Sequence, residues 1–214
     1  MSYRFKKILS MILAAMGTIV IILSILPIVS YEFTYRRKFQ RMLSPVPEGA
    51  TLTGVANDYK NPEEWFEGDT VQNKDTGFEY RLFVPKLRIE DAIVTVGGED
   101  LSKNLIQYPG TADPGAGGNT VIFGHSVLPY FFNPKDYMTI FSTLPKLDKG
   151  DIIRIVANNI SYTYEVNRFF EVSPDNLEVL NQDVDGSYVS LVTCVPPGHP
   201  LKPRRLVVQA KLLL

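Results

Sequence analysis

The chain is poor in the residues that carry most side-chain chemistry. It has one cysteine, Cys194, in 214 residues. No internal disulfide can form, and a lone thiol in an exported protein is either buried or put to use. There are two histidines, His125 and His199, and no Cys/His cluster of the kind a structural zinc site needs. Any Cys/His chemistry must therefore join Cys194 to one of those two. An excess of positive charge is missing as well: 22 Lys and Arg stand against 23 Asp and Glu, for a net charge of -1. A nucleic-acid partner, which calls for a basic face, is not indicated.

One long uncharged run is present. Leu9 to Ser30 reads LSMILAAMGTIVIILSILPIVS, 22 residues without a charge. That length suits a helix crossing a bilayer. A cleaved signal peptide would have a shorter apolar region followed by a small-x-small site. Here the run passes into YEFTYRRKFQRM, which has no such site. An uncleaved anchor is expected, with Tyr31, Phe33 and Tyr35 suited to the interface. Lys and Arg flank both ends, so charge alone does not orient the span.

The next stretch, 31–77, reads as a stalk with SPVPEG and NPEEW and little alternation. A short helix is expected to run on through Arg41 and to stop before Pro45 and Pro47. From Phe78 the texture changes to short apolar runs divided by turn residues. YRLFVPKL, AIVTV, NTVIFG, DIIRIVA, SYTYEVNRFFEV, YVSLVT and RLVVQAKLL read as strands, rich in Val, Ile, Tyr and Phe. Asn158-Asn159 predicts a hairpin turn. Helical stretches are expected at Lys103 to Gln107 and Asn176 to Asn181. Many strands with few helices argue for an all-β barrel or sandwich. The expected division is a short N-terminal segment at 1–8, a transmembrane anchor at 9–30, the stalk at 31–77 and a β domain at 78–214.

Three positions lie where strands meet loops, the places substrates reach. His125 follows NTVIFG, Cys194 ends YVSLVTC, and Arg204 and Arg205 open the last strand. A thiolate is a strong nucleophile, but an ordinary thiol is little ionised at neutral pH. A histidine can take its proton, and an arginine can stabilise an oxyanion. Such a set suits acyl transfer through a thioester. Taken one at a time, each has a plainer reading: a buried small hydrophobe, a structural histidine, solvated arginines. His199, in PPGHP, reads as a loop residue.

Two blocks together resemble the sortase family. PGTADPGAGGNTVIFGHS is similar to the family's histidine region, and TCVPPGHPLKPRRLVVQAKL to its cysteine and arginine region. KLDKGDIIRI and VSPDNLEVL extend the likeness, which covers roughly 78–214 in the family's order of His, Cys and Arg. The resemblance implies a closed eight-stranded sortase-type β-barrel behind an N-terminal transmembrane helix. It implies His125, Cys194 and Arg205 as catalytic residues. Arg205 directly precedes the apolar Leu206-Val207-Val208, and Arg204 remains the alternative. It further implies cleavage of an LPxTG-like sorting signal at Thr–Gly and transfer of the acyl group to an amine of a cell-wall precursor or a pilin lysine. By the same analogy the protein is a single-pass membrane protein with its catalytic domain outside.

Departures from the family bear on subclass, which is left unassigned. The stretch after His125, SVLPYFFNPKDYMTIF, is long and aromatic, suited to shaping a groove or a partner surface or to covering the barrel. Some sortases bind calcium through loop carboxylates; no dense acidic loop stands out, so no required metal or other cofactor is expected. The terminal KLLL is too short for the second span that some pilus-building members carry, which argues against that subclass. Two rival functions stay open: a cysteine hydrolase, and an inactive membrane-tethered β-barrel that only binds.

Overall fold

The structure is a computed structural model that describes residues 3–35, 38–41, 77–174 and 176–213. Helix α1 spans Tyr3–Tyr35. It is the one described helix long and apolar enough to cross a membrane, and none of that apolar stretch is buried against the protein. Its four hydroxyls between 9 and 30 need no water. Ser10, Thr18, Ser24 and Ser30 each donate back to a carbonyl three or four residues earlier, at 2.9–3.0 Å. A helix that satisfies its own polar groups and is apolar all round suits hydrocarbon surroundings.

The helix does not run on to Arg41. It ends at Tyr35, and Gln40–Arg41 form a short strand, β1, beside a barrel strand. Backbone pairing wins there because the barrel offers a strand edge. Most of the expected stalk, 42–76, lies outside the described residues, as do Pro45 and Pro47.

The barrel strands are β2 (Glu79–Val84), β3 (Ile89–Val96), β4 (Leu105–Gln107), β5 (Gly118–Phe123), β6 (Ile152–Ala157), β7 (Ile160–Val172), β8 (Ser187–Val195) and β9 (Arg204–Leu212). They run in the order β7-β6-β2-β3-β4-β5-β8-β9, and a β7–β9 pairing closes the ring. This is the closed eight-stranded barrel the resemblance implies. Pairs β3–β4 and β5–β8 are parallel; the other ring pairs are antiparallel. Asn158 and Asn159 have φ of 50° and 62°, so the β6–β7 hairpin turns on two left-handed asparagines.

One expected helix is a strand. Leu105–Gln107 is β4, buried throughout and held between β3 and β5. Three residues are too few to show a period of two, so only the neighbouring strands decide their conformation. The other expected helix exists as a short 3-10 turn, Leu177–Leu180, with the Asn176 side chain accepting from the Glu178 amide.

Two apolar clusters cover the two faces of the sheet. The interior one includes Leu82, Val94, Ile122, Ile153, Leu191 and Val208. The second includes Val121, Phe123, Val192, Cys194 and Val207, packed with Phe170 and Val179. Strands β5 and β8 are thus buried on both faces, as parallel neighbours usually are.

Candidate active site

Strands β5, β8 and β9 lie side by side and deliver the three predicted residues to one place. Cys194 of β8 is the direct register partner of Arg205 of β9. On the other side, Phe123 of β5 pairs with Val192 of β8, and the Gly124 amide donates to the Val192 carbonyl at 3.1 Å. His125 and Cys194 each lie two residues beyond that pair. The same offset sets them on neighbouring chains, about 5 Å apart at the backbone. Phe123, Val192, Cys194 and Val207 all belong to the second cluster, and a Cβ on Gly124 would meet Leu105 and Phe141 of the interior one, so alternation continued past the ladder carries His125 to the side of Cys194.

Hydroxyls extend the pairing past the end of the ladder. Thr193 Oγ1 donates to the Gly124 carbonyl at 2.7 Å, and Ser126 Oγ donates to the Cys194 carbonyl at 2.6 Å. Gly124 has no room for a side chain. A Cβ there would lie 2.5 Å from Phe141 Cδ2 and 2.6 Å from Leu105 Cδ2. Phe141 in turn donates its amide to the His125 carbonyl at 3.0 Å. His125 is therefore pinned from three sides.

All three groups are buried, at 5%, 3% and 2% exposure for His125, Cys194 and Arg205. Burial pushes the Cys194 thiol up, while Arg205 and Lys202 pull it down. Lys202 has its own pKa lowered, chiefly by burial, with Cys194 opposing and Arg205 adding to the fall. The Arg205 guanidinium donates through Nη1 to the Lys202 carbonyl at 2.9 Å and to the Arg204 carbonyl at 3.5 Å. A mostly protonated thiol beside fixed cations needs a base to remove its proton, and the developing charge then has partners.

The doubled arginine separates by the pleat. Arg205 shares the face of Val207 and Cys194. Arg204 shares that of Leu206 and Val208 and turns to carboxylates: its Nε lies 3.0 Å from Glu171 Oε2, and its Nη2 pairs with Glu32 of α1.

A groove of about 350 Å³ opens beside His125, lined by Leu128, Phe131, Met138, His199 and Lys202 among others. The long aromatic stretch after His125 thus forms a groove wall, facing the 196–203 loop. Gly198, at φ +79°, lies so close to Leu128 that a Cβ would fall 2.6 Å from Leu128 Cδ2. His199 lines this groove and accepts the Leu201 amide at Nδ1 at 3.2 Å. Thr193 belongs to the Thr-Cys pair of the family-like block, whereas nothing in the sequence singles out Lys202 or Ser126 beyond their nearness to Arg205, Cys194 and His125. Among the described residues, no group of three or more His, Cys, Asp or Glu side chains is placed to hold a metal ion.

The family model for the sortase domain matches residues 82–213. The chain belongs to the sortase family. It is a cysteine transpeptidase of the kind that anchors surface proteins. Among curated relatives, sortase D of Bacillus subtilis (strain 168) is 24% identical over 176 residues, covering 81% of each chain. Sortase A of Bacillus anthracis is 30% identical over 118 residues, covering 54% of this chain and 51% of the relative. Among solved structures, a sortase D5 transpeptidase from Clostridium perfringens is 29% identical, with a TM-score of 0.53 over 64% of this sortase and 79% of that chain. Sortase A from Corynebacterium diphtheriae is 25% identical, with a TM-score of 0.55 over 67% of this chain and 64% of that one.

Proposed function

We propose that this sortase cleaves an LPxTG-like sorting signal through a Cys194 thioester and passes the acyl group to an amine. The observation that carries the reading is the direct pairing of Cys194 with Arg205, with the His125 segment tied alongside by the Thr193–Gly124 and Ser126–Cys194 hydrogen bonds. In the first step His125 accepts the thiol proton and the Cys194 sulfur attacks the Thr carbonyl carbon. Arg205 donates to the resulting oxyanion. The C–N bond then breaks, and His125 returns the proton to the leaving Gly amine. In the second step an acceptor amine attacks the thioester and loses a proton to His125. The C–S bond breaks and the Cys194 thiol is restored.

The amine belongs to a cell-wall precursor or to a lysine of another surface protein. Helix α1 holds the enzyme in the cell membrane as a single span, with the barrel on the outer side. Its unburied apolar surface and self-satisfied hydroxyls support that role. Turnover is expected to need no added metal ion and to continue in EDTA.

The test uses the full-length protein in detergent micelles, LPxTG-like peptides, and mass spectrometry with and without an amine acceptor. The expected result is an acyl adduct on Cys194 and an amine-dependent ligated product, both lost in Cys194→Ala. Arg205→Ala should lose far more turnover than Arg204→Ala; the reverse ranking would overturn the arginine assignment. Hydrolysis that no amine diverts would favour a hydrolase. No adduct across a broad peptide panel would favour a binding module.

A further inference from the structure

The end of α1 is built into the barrel. Tyr31 and Phe39 are each 4% exposed and belong to the interior cluster. Tyr35 stacks on Phe39 with ring centroids 5.4 Å apart, and Phe39 meets Phe169 of β7 at 5.7 Å. Lys38 donates to the Pro145 carbonyl at 3.0 Å and to Asp148 at 2.8 Å. Strand β1 then runs parallel to β7, opposite Phe170 and Glu171. Phe33, by contrast, is 84% exposed, so only one side of this turn is docked.

The polar part of the joint lies one residue from Arg205. Glu171, 5% exposed, accepts from the Tyr31 hydroxyl at 2.7 Å and faces Arg204 Nε at 3.0 Å. Arg204 Nη2 reaches Glu32 of α1. A guanidinium hydrogen-bonded to Glu32 and ion-paired with Glu171, carboxylates of two separate elements, has little freedom to turn.

Strand β9 starts at Arg204, so the active-site arginine sits at an end that would otherwise fray. Successive side chains on a strand point to opposite faces. Fixing Arg204 on the interior side therefore fixes Arg205 on the side of Cys194. The Arg204 carbonyl also accepts from the Arg205 guanidinium.

We propose that Arg204 is a positioning residue for Arg205, and that Glu32 makes the barrel-facing end of α1 part of that support. The inference rests on the reading of Arg205 as the oxyanion donor. Its consequence is spatial as well. Glu32 comes two residues after the uncharged run 9–30, so the active-site end of the barrel is held at the foot of the helix.

The test uses full-length protein in detergent micelles and compares wild type with Glu32→Gln, Arg204→Lys and the double variant. Glu32→Gln removes one charge from a 39%-exposed side chain and leaves the Arg204–Glu171 pair. Because small displacements of a catalytic group cost rate, kcat for peptide ligation should fall about fivefold. KM should stay within about twofold, and Tm within about 2 °C, since a half-exposed ion pair adds little stability. Lysine, a single point charge, cannot hold both carboxylates in the same fork, so Arg204→Lys should fall at least as far. The double variant should lose little more than Arg204→Lys alone, because both changes break one link. Wild-type kcat in Glu32→Gln would overturn the proposal, as would losses that multiply in the double variant. So would a loss of kcat that simply tracks a fall in Tm. Wild-type enzyme that forms no Cys194 thioester would instead sink the underlying reading.

Discussion

Removing the two hydroxyl straps between the histidine segment and the cysteine strand should cost stability and rate together. The β5–β8 ladder ends in the pair Phe123 and Val192. Beyond it, Thr193 Oγ1 to the Gly124 carbonyl and Ser126 Oγ to the Cys194 carbonyl tie the chains at 2.7 and 2.6 Å. Thr193 is fully buried and Ser126 is 8% exposed. Thr193→Val keeps the shape but leaves a buried carbonyl without its partner, at about 1–2 kcal/mol; Ser126→Ala does the same to its own carbonyl. For a domain of this size that lowers Tm by roughly 4–8 °C per strap. His125 lies between the two strapped residues, so it shifts relative to Cys194 when both are cut. A displacement approaching 1 Å costs up to about a hundredfold in rate. The double variant should therefore acylate Cys194 about 10- to 100-fold more slowly. Differential scanning in detergent micelles gives Tm, and single-turnover mass spectrometry gives the acylation rate. If both single variants keep Tm within about 1 °C and acylate at the wild-type rate, the straps do not hold the site, and the reasoning fails.

Two further predictions concern charge and space at the same site. Lys202→Met removes a cation that pulls the Cys194 thiol down against burial, so the thiol pKa rises and less thiolate is present at neutral pH. The pH profile of Cys194 alkylation by iodoacetamide should move to higher pH; an unmoved profile would rule out the electrostatic role. Gly124→Ala forces a Cβ into Phe141 and Leu105, an overpacking worth about 1–3 kcal/mol, and should lower both Tm and turnover. Gly117→Ala, with nothing within 4 Å, is the matched control and should change neither.

Local pattern was enough for much of the fold. The uncharged run from Leu9 to Ser30 is readable because length and lack of charge define it. Strands such as β2 and β6 alternate exposed and buried residues, as half-buried strands must. The paired asparagines at 158 and 159 mark their turn because few other residues accept left-handed backbone. His125, Cys194 and the arginine pair stand out because reactive residue types are so scarce here.

What the sequence could not settle depends on neighbours distant along the chain. β4 is a strand because β3 and β5 offer it hydrogen bonds on both sides, although its three residues show no period of their own. In the sequence only the resemblance favours Arg205 over Arg204, through the apolar run that follows it. The register of β9 against β8 puts Arg205 opposite Cys194, and the pleat turns Arg204 toward Glu171 and Glu32. The segment after the uncharged run reads as a stalk, with Tyr31 suited to the membrane interface, yet Tyr31 and Phe39 are core residues, because Glu171 and Phe169 of β7 receive them. Composition and spacing thus determined which chemistry is available to this chain: one thiol, two imidazoles and an arginine pair. Only the closed barrel decided which of them meet, because closure sets register, and register assigns every side chain to a face.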